Sequence, residues 1–415
     1  MHILFLSDNF PPETNAPASR LFEHASHWVR LGHRVTVITG APNFPEGKVF
    51  PGYRNRWYVM EEMSGIRVVR VKTYITANEG FIKRTLDYIS FMVAGFCAGL
   101  FQKDVHVIVA TSPQFFAAVG AWLLAWVRRK PFVFELRDLW PASIVTVGAM
   151  RESRLIRWLE KLELFLYRRA AAVVTVTQAF KVDLIQRGIP ADKITVVLNG
   201  VDQQRYKPRP KDESLAARFG VEGKFVIGYL GTHGMAHALD RVLEAAELLR
   251  KYEKIVFLFV GAGAERSKLI AIAQSKQLPN VRFIPPQPKE LMPNIWSLCN
   301  VALIHLKNTP VFATVIPSKL FEAMGMGLPI LLASPEGEAS RIVRQTGAGV
   351  VVPPEQPSLF AEAVLKLDEH PEEVASLRCA SYAAAPHFSR TEQAETMLAV
   401  LQAVVSKEIP CLSQE

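Results

Sequence analysis

"HILFLSDNFPPETNAPASRLFEHASHWVRLGHRVTVITG", residues 2–40, reads as one complete β–α–β unit. "HILFLSD" (2–8) is an apolar run of strand length. "ASRLFEHASHWVRLGH" (18–33) carries Leu21, Ala25, Trp28, Val29 and Leu31 at near-helical spacing and ends at Gly32, where a helix can stop. "RVTVITG" (34–40) supplies the second strand at once. Strands joined through a helix lie parallel in a sheet covered on both faces.

The pattern repeats outward. "RVVRVKTY" (67–74), "VHVIVATS" (105–112), "PFVFELRD" (131–138), "AAVVTVTQ" (171–178) and "KITVVLNG" (193–200) continue the strands. A polar break, "VDQQRYKPRPKDES" (201–214), follows with Pro208 and Pro210. The series then restarts with "KFVIGYLG" (224–231), a helix at 238–251, "IVFLFVGAG" (255–263), "VRFIPP" (281–286), "VALIHL" (301–306), "GLPILLAS" (327–334) and "GAGVVVPP" (347–354). This alternation predicts an α/β chain of two doubly wound, Rossmann-like domains, 1–205 and 206–390, with 391–415 as a closing helix and tail that packs back on the first domain. Ligands of such sheets sit at the carboxyl ends of strands, so two facing domains place the expected site in the cleft between them.

Composition narrows the function. With 415 residues, 49% apolar and 21% charged, the chain is globular and long enough for two cores. Cys97, Cys299, Cys379 and Cys411 are scattered, which argues against a zinc site and for reduced thiols. The start lacks the basic region and cleavage site of a secretory leader, so none is expected. Residues 1–205 hold 26 basic and 17 acidic side chains, the rest 22 of each, so the whole net charge of +9 lies in the first half. A basic half faces something anionic. RNA-binding signatures are missing, so nucleic acid is not expected. An anionic membrane surface fits better: "FIKRTLDYISFMVAGFCAGLFQK" (81–103) sets an apolar run, too short to cross a bilayer, beside Lys83, Arg84 and Lys103. "AAVGAWLLAWVRRK" (117–130) repeats the pattern. A buried helix of the first domain is the plainer reading of both.

The chemistry gathers at strand ends of the second domain. In "IPSKLFEAMGMGLPIL" (316–331), Pro317 and Ser318 start a helix, with Ser318 or the residue before Pro317 as its cap. Lys319 opposes the dipole of that first turn unless it meets a bound anion; Glu322 follows one turn later. "GYLGTHG" (228–234) and "GAGAERSKL" (261–269) add Gly231, Thr232 and Arg266. "GAGAER" has Arg266 where a dinucleotide fingerprint needs its third glycine, and the first strand has no glycine turn, so hydride transfer is disfavoured. No Asp-x-Asp pair occurs, so a metal-bridged nucleotide sugar of the single-Rossmann type is disfavoured and neither a metal nor another cofactor is expected.

These motifs, with "NFPPETNAPASR", "LGHRVTVIT", "ELRDLWPAS" and "VLNGVD", resemble the retaining, GT-B-fold glycosyltransferases of family 4. They are most similar to the bacterial polysaccharide-assembly branch with the WbuB-like fucosamine transferases. The resemblance runs from Met1 to about Ser406. It implies that Glu322 binds the ribose of a donor, most readily a UDP-sugar, and that Lys319 faces the diphosphate. It implies no fixed nucleophile: the leaving diphosphate takes the acceptor proton on the same face. Two departures stand out. Thr314 occupies the place of a family glutamate that touches the donor sugar, which points to a deoxy or N-acetylated sugar. Thr232 and His237 stand where the family has Arg and Lys, so Arg266 and Lys319, with the helix start at Ser318, are the expected diphosphate contacts. In the first domain, Asp138 is the expected acceptor-hydroxyl contact, although as a strand-end carboxylate it could equally cap a loop. Arg137 replaces a common family histidine, and Asn15 and Arg20 are expected to face the acceptor or the donor phosphates, Arg20 alternatively lying on a solvated helix face. A polyprenyl-diphosphate-linked acceptor and a place on the inner face of the cell membrane, from the cytoplasm, follow from the same branch. The competing readings are a GT-B-fold epimerase, which would draw on Asp8, Glu13, Glu135 or Asp138, and a non-catalytic nucleotide-sugar-binding subunit.

Overall fold

The computed structural model describes residues 1–13, 15–44, 46–76, 81–112, 114–139 and 153–408. Thr14 and the "WPAS" of "ELRDLWPAS" (140–143) lie outside them. Two compact units divide the chain: Met1–Leu198 together with the segment from Arg390 on, and Asn199–Ser389.

The first unit is built on β1 (His2–Leu6), β2 (Arg34–Gly40), β3 (Tyr58–Met63), β4 (Ile66–Val71), β5 (Val107–Thr111), β6 (Phe132–Leu136), β7 (Ala172–Thr175) and β8 (Ile194–Val196). The sheet order is β3-β4-β2-β1-β5-β6-β7-β8. All neighbours are parallel except β3, a hairpin arm antiparallel to β4. Its residues, "YVMEEM", alternate exposed and half-buried, as an edge strand does; an apolar-run criterion passes over it.

β1 shows how both faces are filled. Leu4 and Leu6 enter one core with Phe91 of the helix Phe81–Leu100, Ala117 and Leu124 of Phe115–Arg128, and Leu159 of Arg154–Arg169. Ile3 and Phe5 enter the other with Leu21, Ala25 and Trp28 of Ala16–Arg30 and Met397, Leu398 and Leu401 of Arg390–Glu408. Alternate side chains leave a strand on opposite faces, so a strand buried on both sides is apolar throughout. The closing helix is tied in by the Trp28 indole, which donates to the Ala394 carbonyl at 2.8 Å, and by an Arg390–Glu23 ion pair at 2.8 Å.

The second unit has β9 (Phe225–Leu230), β10 (Ile255–Val260), β11 (Val281–Ile284), β12 (Val301–His305), β13 (Ile330–Ala333) and β14 (Gly349–Val352). Their order is β11-β10-β9-β12-β13-β14, parallel throughout. It begins at Asn199, earlier than the expected break near 205, because the Val201 N–H donates to the Phe388 carbonyl at 2.9 Å within this unit.

In both sheets the winding reverses beside the first strand, at β1/β5 and at β9/β12. Loops leaving the carboxyl ends there diverge and open a crevice. Asp8 and Gln114 flank the first reversal; Gly231–Ala238 and the segment 306–318 flank the second.

Candidate functional site

In the second unit, β9 runs straight into Gly231, at φ +138°. A Cβ there would come 3.2 Å from Lys319 Nζ, and one on Gly261 would meet the Gly231 carbonyl at 2.0 Å. The two strand-end loops therefore lie backbone on backbone, and glycine is required at both. Opposite them the helix Ser318–Gly325 starts from Pro317, which takes the cap position without a side-chain acceptor. Neither Ser318 nor Ile316 serves as the cap, which corrects the sequence reading. Free backbone N–H groups of such a turn favour anions.

Lys319 sits in that turn, only 9% exposed. Its Nζ lies 3.6 Å from the centre of the Tyr229 ring and has no hydrogen-bond partner. Burial pulls its pKa down to about 7, opposed by the charge of Glu322. The Tyr229 hydroxyl donates to the Thr232 carbonyl at 2.6 Å, which fixes the ring under the ammonium. Glu322, half-buried, accepts the Trp296 indole N–H at 3.3 Å. Arg266 opens the helix Arg266–Ser275, with a buried Nε that has no partner. Thr314 ends the short 3-10 turn Pro310–Thr314 and spends its hydroxyl on the Val311 carbonyl at 2.7 Å. Gly231, Thr232 and Lys319 thus meet at the start of this helix, which also carries Ser318 and Glu322.

Two buried histidines, His233 and His305, and the half-buried His237 line the same loops. His237 donates from Nδ1 to the His305 carbonyl at 3.2 Å, and His305 Nε2 accepts the Glu355 N–H at 3.3 Å. Burial, then the Lys319 charge, pushes His237 down to about 3. Burial likewise pushes His305 to about 4. His237 is therefore neutral near pH 7 and supplies no cation at this position. His233 is wholly buried and carries no sequence signal beyond its place between two glycines.

In the first unit Arg20 requires a correction. It is 1% exposed, and its Nε meets Glu135 Oε1 at 2.9 Å while Nη1 and Nη2 donate to the carbonyls of Leu198 and Val197 at 2.6 and 3.0 Å. It neither faces an acceptor nor lies on a solvated face; it locks the first helix to β6 and to the chain after β8. Burial would raise the Glu135 carboxyl, but the Arg20 and Arg137 charges hold it below its ordinary value. Asn15 caps the first helix, its Oδ1 accepting the Ala18 N–H at 3.0 Å, so its side chain is committed to local structure. The backbone N–H groups of Arg137 and Asp138 reach Ser112 Oγ at 2.8 and 3.2 Å, which places both side chains at the end of β6. Burial lowers Arg137 to about 10. Sequence reading named Asp8 and Glu13 among the carboxylates an epimerase would use but did not bring Asp87 to them: Asp8 takes the Gln114 amide and is raised by burial, then by Asp87 and Glu13, while burial lifts Asp87 to about 7.

Two family models match the chain: "Glycosyl transferase 4-like domain" over residues 15–200 and "Glycosyl transferases group 1" over 211–384. The chain is 26% identical over 335 residues to the putative colanic acid biosynthesis glycosyl transferase WcaI of Escherichia coli, covering 79% of this chain and 82% of that one. It is 25% identical over 241 residues to the probable glycosyltransferase WbjE of Pseudomonas aeruginosa, covering 57% and 60%. Among solved structures, HepE of Anabaena in complex with UDP and glucose superposes with a TM-score of 0.73 at 20% identity, over 97% of this chain and 99% of that one.

Proposed function

The chain belongs to the family 4-like glycosyltransferases of GT-B fold, and from that premise we propose that it moves a sugar, with retention, from a nucleotide sugar to a lipid-linked or glycan acceptor in cell-surface polysaccharide biosynthesis. The observation that carries the donor half is the Lys319 ammonium, buried without a hydrogen-bond partner beside an uncapped helix start. A buried charge without a partner is costly, and a phosphoryl oxygen at the helix start would complete it. UDP is the proposed nucleotide, in keeping with the UDP bound by HepE. Lys319, Arg266 and the N–H groups at Ser318 stabilise the departing diphosphate, which takes the acceptor proton on the same face. Glu322 holds the ribose, Gly231 and Thr232 border the phosphates, and Thr314 lies toward the sugar. Asp138 and Arg137 are the proposed acceptor-side residues.

No metal or other cofactor takes part in this reading. Incubation with candidate nucleotide sugars in EDTA should still give slow donor hydrolysis with release of nucleotide. Complete loss in EDTA, restored by Mg²⁺ or Mn²⁺, would sink the metal-free mechanism; release of nothing with any donor would sink the transferase reading. Glu322→Ala should weaken nucleotide binding by about 1.5–3 kcal/mol, the worth of a charge-assisted contact. An unchanged affinity by calorimetry would remove the ribose assignment.

The acceptor half is proposed to be a polyprenyl-diphosphate-linked sugar, reached from the cytoplasm at the anionic inner face of the membrane. Among the described residues no helix is long and apolar enough to cross a bilayer. The helix Phe81–Leu100 buries Phe91 and Ala98 in the core but exposes Leu86, Ile89, Val93 and Leu100. Phe101 and Trp126 are 75% and 71% exposed, and Lys83, Lys103, Arg129 and Lys130 lie nearby in the chain. Such a face suits shallow docking, each basic group adding about 1 kcal/mol near an anionic surface. The protein should sediment with anionic liposomes at low salt, and replacing Lys83, Arg84 and Lys103 with Gln should reduce this while donor hydrolysis persists. Indifference to anionic liposomes would leave this helix as ordinary structure.

A further inference from the structure

His233 lies between Gly231 and Gly234, in the loop that covers Lys319. Its backbone is held from both sides: its N–H donates to the Ala262 carbonyl at 2.8 Å, and its carbonyl accepts the Glu265 N–H at 3.0 Å. A Cβ on Gly263, at φ +153°, would sit 2.3 Å from that carbonyl oxygen, so the facing loop is shaped around this residue. The ring is seated against Tyr229, Phe259 and Phe283, with centroids 5.7, 6.2 and 6.1 Å away. It is 0% exposed, and neither Nδ1 nor Nε2 has a hydrogen-bond partner.

An apolar aromatic seat of this kind would be filled at less cost by phenylalanine. Each buried polar group left unpaired costs about 1–3 kcal/mol. A fold that keeps an imidazole there keeps it for a partner that arrives later. The surroundings define that partner. Burial first, then the charges of Lys319 and Arg266, hold His233 down to about 4, so near pH 7 it is neutral and offers one N–H and one lone pair. Lys319 Nζ lies 3.6 Å over the same Tyr229 ring that His233 packs against, and the Arg266 N–H donates to the Gly263 carbonyl at 3.1 Å on the facing loop, so the imidazole borders the place where an anion would settle. An anion with several acceptor oxygens, shared by two cations and an N–H, is a phosphoryl group.

We propose that His233 is a third side-chain contact of the donor diphosphate, its imidazole N–H donating to a phosphoryl oxygen held between Lys319 and Arg266. This rests on the nucleotide-sugar reading above and extends it. It accounts for a site in which Thr232 and His237 replace cations: hydrogen bonding from a neutral ring replaces charge. The ring is covered, so contact requires it to turn, or the segment between Gly231 and Gly234 to shift.

The test is calorimetry on the full chain with uridine, UMP and UDP, and with the guanosine, adenosine and thymidine series in parallel. His233→Phe should bind the preferred nucleoside diphosphate about tenfold or more weakly, as expected for one lost hydrogen bond to a charged group. Nucleoside affinity should change less than about twofold, because no phosphate is present to be contacted. The unliganded Tm of His233→Phe should hold or rise, since the orphan nitrogens are gone. His233→Asn, which keeps an N–H donor, should recover part of the diphosphate affinity and gives the same reading if the Phe variant does not fold. Equal loss for nucleoside and diphosphate together with a fallen Tm would make His233 a structural residue and overturn the proposal, as would unchanged diphosphate affinity. If the unaltered protein binds no nucleoside diphosphate, the donor reading itself fails and this inference falls with it.

Discussion

Lys319→Met should lower sugar transfer by about a hundred- to a thousand-fold, the usual cost of removing one preorganised group that stabilises a leaving charge. The Met side chain occupies similar space over Tyr229, so the fold should survive. The pH behaviour should change too. Burial lowers this lysine from an ordinary 10.5 to about 7, with Glu322 pulling the other way. Below pH 7 the fold carries the full cost of the buried ammonium. Between pH 7 and the ordinary value the unfolded chain binds more protons than the folded one, so this group's contribution to stability rises with pH across that window. Donor binding has the opposite sign. A diphosphate favours the ammonium, so above pH 7 binding takes up a proton and affinity falls as pH rises. If only the charged form binds, the dissociation constant should rise about tenfold from pH 6 to pH 8. Calorimetry in buffers of different ionisation heat reads both the affinity and the proton, and Lys319→Met should flatten the dependence. A steep dependence retained in the variant would place the titrating group elsewhere.

Arg20→Ala should destabilise the first unit by about 3–5 kcal/mol, the penalty for stranding a buried carboxylate. Glu135 has a side chain 4% exposed, and Arg20 is its partner at 2.9 Å. The same change also frees the carbonyls of Val197 and Leu198. The double variant Arg20→Met with Glu135→Leu should regain much of the loss, because no charge is then left buried. Urea unfolding followed separately for the two units would check this. If the single variant unfolds at the urea concentration of the unaltered protein, the lock described here has no energetic weight.

The outline of both sheets was legible because buried parallel strands are apolar from end to end, as in "HILFL" and "IVFLFV". β3 was not, since half its residues face out and two are glutamates. The helix at Ser318 announced itself through proline at its start, and Lys319 through its conflict with the dipole. Other roles depended on partners far away in the chain. Arg20 reads as a polar residue of an amphipathic helix until the fold brings Glu135 to it, 115 residues later. Asn15 looked like a ligand contact because a polar residue before a helix serves equally well as a cap. His233 was passed over because nothing local marks a buried ring whose nitrogens lack partners.

The return of the helix Arg390–Glu408 to the first sheet reverses the order in which the protein can be finished during synthesis. Residues 199–389 form an unbroken stretch, so the later unit can close its sheet as soon as that stretch has left the ribosome. The earlier unit cannot. Trp28, Leu21 and Ala25 wait for Met397, Leu398 and Leu401, which emerge only after the whole of the later unit. Domains usually mature in the order they are made. Here the part translated first is the part completed second, and its apolar flank needs shielding until the later unit has been made.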